Sequence, residues 1–296
     1  MKWGRRSDRH DPVDRRPDED DAAYLARLVH AHLGAGDAAR WLGLTRPAIR
    51  LATAAEGDTV VARLGGRPCV PDDFEWPVWE GHGPLAFVGE VGLDAVARTG
   101  LDPGLALPTE GRLLAFYFDG SYDDFVGVVG PWDTESLAGA RLIPLSDDRA
   151  GCRDRPAPER VREFRPQDLT ARQVTTFPDA EHPVWEQLDL VIEDDDLIDQ
   201  LDGLHDGAPL HQIGGWADPV QGPVELEVAD AELAGPGVAG QDVDAEALKW
   251  SPLLQIDSDD ASEMMWGDSG RLYWLTRSGD SAPGILDRVS FTWQCS

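Results

Sequence analysis

The chain has 296 residues, is 42% hydrophobic, and carries 55 acidic against 26 basic side chains, a net charge of −29. A chain of this length buries about 75% of its unfolded surface, so its core needs no metal or disulfide staple. The charge argues against a nucleic-acid backbone or an anionic membrane surface as partner, because both call for clustered Lys and Arg.

In chain order, residues 1–20 are polar and read as a disordered lead. Tyr24, Leu25, Leu28, Val29, His32 and Leu33 then follow an amphipathic helical spacing that Gly34 and Gly36 stop. A short second helix is expected over about 37–44 and a strand over 48–52. Residues 65–77, rich in Gly and Pro, read as turns and extended chain. Strands are expected at 85–91, 112–118 and 140–145, the second apolar on both faces as in a central strand. Residues 146–173 are charged, contain Pro156, Pro158 and Pro166, and read as a seam between two halves. A strand at 174–177 and a helix near 184–192 follow. Asp194, Asp195 and Asp196 then open an acid-capped helix carrying Leu197, Ile198, Leu201 and Leu204. Residues 224–228 read as a strand and 229–247 as an acidic loop. Further strands are expected at 250–257, 272–276 and 289–295.

One pattern occurs twice. Leu64-Gly65-Gly66, a strand with a polar residue at Glu90, and Gly111-Arg112-Leu113 recur in order as Ile213-Gly214-Gly215, a strand with Gln255, and Gly270-Arg271-Leu272. Two copies are too few for a solenoid and predict a paired body. The expected fold is therefore α+β and β-rich, an internally duplicated, pseudo-twofold sheet with a few helices at the N-terminus and mid-chain. Residues 21–296 form a single domain in this reading, its halves spanning about 45–145 and 174–296.

The sequence has no P-loop, nucleophile elbow, dinucleotide fingerprint or zincin motif, and no cofactor is expected. Cys69, Cys152 and Cys295 are an odd number without short spacing, which points to a reducing, cytoplasmic home. No apolar run approaches a membrane span. His211, Gln212, Trp216, Gln221, Gln255 and Trp266 are read as lining a polar ligand pocket between the halves, or as a buried polar network that fixes a loop. Asp257, Asp259 and Asp268 are read as oxygen ligands for a divalent cation, or as turn-forming carboxylates. Glu90 and Gln255 are expected to meet near the axis relating the halves, as a site at their interface or as two core groups paired by a hydrogen bond.

Several stretches together resemble the YwqG-like family, a bacterial domain family. They are Leu64 to Pro71 with Trp76-Pro77, Pro84 to Val91, Gly111 to Asp119, His211 to Gly215 with Gln221, Leu253 to Asp259, Trp266 to Tyr273, and Phe291 to Cys295. They span about residues 45–296. The resemblance implies a duplicated α+β fold and supplies no catalytic residues. Family members are sometimes encoded near polymorphic-toxin genes, which implies an immunity role by association. The family usually has Gln-Ile-Asp in both copies, whereas the first copy here reads Glu90-Val91-Gly92. On charge and motif content, the chain is expected to be a non-enzymatic binding protein that engages a basic protein partner. The alternative is a small-ligand or metal-binding domain, or an enzyme, using the groove between the halves.

Overall fold

The computed structural model describes residues 13–146, 151–188, 194–205, 207, 209–234, 242–277 and 284–296. Most of the 1–20 lead lies outside them. Helices α1 (Asp21–His32) and α2 (Ala35–Leu42) come first, the former capped by Asp20, whose side chain accepts from Ala23 N. Strands β1 (Arg46–Thr53), β2 (Ala62–Leu64), β3 (Cys69–Val70), β4 (Val78–Trp79), β5 (Gly83–Pro84) and β6 (Ala86–Gly92) follow. Next come α3 (Leu93–Thr99), β7 (Arg112–Tyr117), β8 (Ala140–Leu145), β9 (Arg153–Asp154) and β10 (Gln167–Thr176). The chain continues through α4 (Asp195–Asp202), β11 (His211–Ile213), α5 (Val224–Leu233) and α6 (Val243–Ala247), and closes with β12 (Trp250–Asp257), β13 (Arg271–Arg277) and β14 (Val289–Gln294).

Ten strands form one antiparallel sheet in the order β14-β13-β12-β11-β1-β10-β2-β6-β7-β8. The sheet curls until its ends nearly meet. The ring of Tyr117 on β7 lies 5.5 Å from that of Phe291 on β14, and Trp293 Nε1 donates to Val129 O at 2.7 Å. Curling buries one face as a continuous apolar core from Ile49 and Leu51 through Phe116 to Trp274. Helices α1, α2 and α4 pack a second cluster around Trp41 outside the sheet, and α5 buries Val224 and Val228 against Trp250 and Tyr273.

The strand order runs alike from both ends towards the central β1–β10 pair. β10-β2-β6-β7-β8 is matched by β1-β11-β12-β13-β14, and each arm shifts register once, between Phe87 and Gly89 and between Pro252 and Leu254. Arg112 faces Gly92 as Arg271 faces Asp257.

Four expectations need correction. Residues 224–228 belong to helix α5: the buried Val224, Glu225, Val228, Ala229 and Ala231 follow a helical spacing that Val-Glu-Leu-Glu-Val disguises as alternation. Part of the expected loop at 229–247 is helical, in α5 and α6, while 235–241 lie outside the described residues. The seam at 146–173 holds the start of β10, which pairs with β1 over eight positions; after Pro166 the chain enters the middle of the sheet. The helix near 184–192 is a 3₁₀ turn over Pro183–Leu188, its last residues lying outside the described ones.

Candidate functional site

Strands β1, β10 and β11 present alternate residues to opposite faces. Ile49, Leu51 and Ile213 enter the core, which leaves Arg172, Arg50 and Gln212 in one cross-strand row on the outer face, each opposite the next. The row continues through Gln255 on β12 to Tyr273 on β13. Helix α1, the turn after α4 and the chain after β11 cover part of it and leave a cavity of about 380 Å³. Its walls include Arg50, Arg172, Gln212, Tyr24, Trp216 and Asp218.

The polar groups here are unevenly satisfied. Gln212 Nε2 donates to Gly214 O at 2.9 Å and Trp216 O at 2.7 Å, which fixes the amide orientation and leaves Oε1 buried without a donor among the described residues. Arg50 Nε and Nη1 are buried with no acceptor among the described residues. Burial lowers the Arg50 guanidinium to about 10. Asp218 is occupied: its side chain pairs with Arg271, and its carbonyl accepts from Arg271 and from the Tyr273 hydroxyl at 2.9 Å.

Trp216 joins this cavity to a second buried cluster. Its indole Nε1 donates to Leu44 O at 2.7 Å, the Arg46 guanidinium lies 3.5 Å from the ring centre, and the His182 ring meets it edge-on at 4.8 Å. His182 Nε2 stands 3.9 Å from Glu225 Oε2. Burial pushes Glu225 up to about 7 and His182 down to about 4. Near pH 5.5 the folded pair is therefore neutral, whereas the unfolded chain holds a charged His and a charged Glu.

These shifts act on stability in opposite directions. Glu225 favours folding at and below its ordinary 4.5, and that contribution is lost as pH climbs to about 7. His182 favours folding above 6.5, and its contribution is lost as pH falls toward about 4. Between those limits the slopes cancel. Glu225→Gln removes only the first, so its stability relative to the wild type is expected to rise by about 3 kcal/mol from pH 4.5 to 7, from the worth of one pKa unit. Urea denaturation across that range checks this; a variant curve parallel to the wild type's contradicts it.

The sequence-derived site residues divide three ways. Gln212 and Trp216 line the cavity, and Gln255 stands directly behind it, accepting from Asp218 N at 3.0 Å and donating to Leu210 O at 2.7 Å. His211, Asp259 and Trp266 form a second buried network, tied together through the Asp257 backbone, while the Asp257 side chain lies behind the cavity with Leu210 and Arg271. His211 Nδ1 accepts from Asp257 N at 3.1 Å, so its Nε2 carries the proton that meets Asp259 Oδ2 at 3.1 Å. Burial raises Asp259, but the His211 bond and the Ser262 and Ala261 amides outweigh it and hold the carboxyl below its ordinary range. Trp266 Nε1 donates to Asp257 O. Gln221 and Asp268 are exposed and stand apart from both networks.

Asp257, Asp259 and Asp268 do not form a cation cage: among the described residues no three or more His, Cys, Asp or Glu side chains group to hold a metal. Asp257 is taken by Leu210 N at 2.7 Å and Arg271 Nε at 3.1 Å. Glu90 and Gln255 do not pair either. Glu90 bonds Arg112 at 3.2 Å, whereas both ends of the Gln255 amide are spent on Asp218 and Leu210. Four strands separate them in the sheet.

A family scan matches residues 62–295 to a domain of unknown function, DUF1963. The chain belongs to the DUF1963 family. A search of curated proteins returned no match. The DUF1963 match takes in the repeated Gly-Gly turns, both Gly-Arg-Leu strands and Trp216, but begins after Arg50 and Tyr24. The cavity is thus walled partly by the family domain and partly by the segment before it. No helix among the described residues is long and apolar enough to cross a membrane.

Proposed function

We propose that the chain is a YwqG-like, non-enzymatic binding protein of the cytoplasm, and that it takes a small ligand in the cavity over β1, β10 and β11. One observation carries this: Arg50 and Gln212 stand in register in the cavity wall, each with buried polar atoms that lack a partner among the described residues. Buried polar groups are ordinarily satisfied, so unsatisfied ones in a cavity wall mark a place for a ligand. The cytoplasmic reading leans on an odd number of cysteines without short spacing in the sequence. A duplication origin for the two arms of the sheet is supported by their common strand order, register shift and Gly-Gly turns. Native mass spectrometry of protein purified without denaturation, followed by a ligand-panel thermal-shift screen, tests the reading. A bound or stabilising small molecule whose amide shift changes cluster on Gln212, Trp216 and Thr176 is the expected result; shifts confined elsewhere count against it.

A second reading, a basic protein partner, is favoured by a different surface. The loop between β7 and β8 exposes Phe125, Val126, Val128 and Trp132, and Asp124 and Asp133 are exposed among them. Asp124 and Phe125 hold left-handed backbone, with φ of 57° and 62°. An apolar tip flanked by acids suits a partner with apolar contacts inside a basic rim. Such a partner is expected to be retained on immobilised protein at low salt, released at high salt, and lost with Phe125→Ser and Trp132→Ser together. Retention indifferent to both salt and the substitutions would remove this reading.

A further inference from the structure

We infer that the cavity takes a small organic carboxylate, its charge met by Arg50 and its apolar body set against Trp216. This rests on the cavity being the ligand site. Counted from the Gly-Gly turns, Gln212 on β11 matches Arg63 on β2, each two residues before the first glycine. Arg50 stands opposite Gln212 as Asp168 stands opposite Arg63. Gln255 and Glu90 are the next residues along their rows.

One row therefore reads Asp168, Arg63, Glu90, and its cation is neutralised: Arg63 Nε lies 2.7 Å from Asp168 Oδ1. The other reads Arg172, Arg50, Gln212, Gln255, with a cation between a second cation and a neutral amide. Three carboxylates stand around it against four guanidiniums, those of Arg15, Arg50, Arg172 and Arg271. Asp21 pairs with Arg15 and stands 3.9 Å from Arg172, and Asp218 and Asp257 share Arg271, which leaves one positive charge over. In a chain of net charge −29, this wall keeps a guanidinium whose counter-charge has been left out. A ligand anion supplies it through charge-assisted hydrogen bonds, for which the planar guanidinium is suited.

A carboxylate fits better than a phosphate dianion, because one uncommitted arginine flanked by aromatic walls balances a single charge. Gln212 Oε1 is buried beside Arg50, and once that side chain turns it offers a fixed acceptor to a hydroxyl or ammonium next to the carboxylate. Arg50 Nε and Nη1 are closed to solvent, so binding involves a turn of the Arg50 side chain toward the lumen.

The test is calorimetric titration and thermal shift on the full chain, with 2-hydroxy and 2-amino carboxylates, their neutral amides, and inorganic phosphate as probes. Carboxylates are expected to bind and their amides to bind roughly 10- to 100-fold more weakly, the worth of one hydrogen bond to a charged group. Arg50→Gln is expected to lose a similar factor for carboxylates while melting at or above the wild-type temperature, since it removes a buried, unmatched cation. Amides or phosphate binding as well as carboxylates, or unchanged affinity in Arg50→Gln, overturns the carboxylate inference and leaves the cavity reading standing. An Arg50→Gln variant well below wild-type stability makes Arg50 a structural residue and also overturns the inference. Binding that perturbs no cavity residue, or no binding by any probe, overturns both.

Discussion

Arg271→Met is expected to destabilise the fold by about 3–5 kcal/mol, the cost of leaving buried charges without their partner. Arg271 opens β13 and reaches two carboxylates at once, pairing with Asp218 and approaching Asp257 Oδ1 at 3.1 Å without full hydrogen-bond alignment at Nε. Burial opposes its charge, but the fields of Asp218 and Asp257 more than compensate, so the guanidinium is held above its ordinary value. Methionine is similar in length and apolar, so packing is largely kept while both acids are orphaned. Because Asp218 also lines the cavity, the variant releases a negative charge there and is expected to weaken carboxylate binding as well. Adding Asp218→Asn should restore part of the lost stability. Urea midpoints of the single and double variants measure this; a single-variant loss under about 1 kcal/mol would place the pair with weak surface ion pairs instead.

The same arginine illustrates how much could be read from the residues alone. Gly270-Arg271-Leu272 and Gly111-Arg112-Leu113 are visible as a repeated phrase, and both arginines occupy matched positions in the sheet. Strand periodicity placed β8 and β12 at their observed limits, because each is a local apolar run bounded by turns. What a strand pairs with is not local. Arg50, in Ala-Ile-Arg-Leu-Ala, announces only a cation on the outer side of an apolar strand. Its meaning comes from Gln212, which lies 162 residues further on and faces it across a ladder. Gln212 and Trp216 were legible as polar and flat groups beside a glycine turn. Their neighbour His211 looked equivalent, yet the two-residue period of the strand sends it to the opposite face, beside Asp259. Gln221 and Asp268 sit in turns whose composition resembles that of a site but whose side chains point outward. His182 and Glu225 carry no motif: their perturbation comes from burial beneath Trp216, which depends on how α5 and the turn after β10 pack.

Gly214→Ala is expected to be as damaging, at roughly 3–5 kcal/mol when the left-handed penalty and overpacking are taken together. Gly214 sits at φ +71°, and a Cβ there would lie 1.7 Å from the Pro103 carbonyl oxygen. Its match in the other arm, Gly65, sits at φ +57°, with Arg165 O at 2.5 Å from the same built position. In both turns the glycine lets a backbone carbonyl from a distant segment approach, and in both its N–H donates to the strand two along in the sheet from the β1–β10 pair, Gly214 to Leu253 O and Gly65 to Val88 O. The effect at Gly214 reaches the site as well, since Gln212 Nε2 is anchored on Gly214 O. Moving that carbonyl frees the amide to rotate and removes the fixed acceptor beside Arg50. Gly65→Ala is therefore expected to lower stability by a comparable amount and leave carboxylate affinity intact in the fraction that remains folded, while Gly214→Ala lowers both. Thermal denaturation and titration of the two variants side by side distinguish the roles; equal loss of affinity in both would show that general loosening, and not the anchored amide, governs binding.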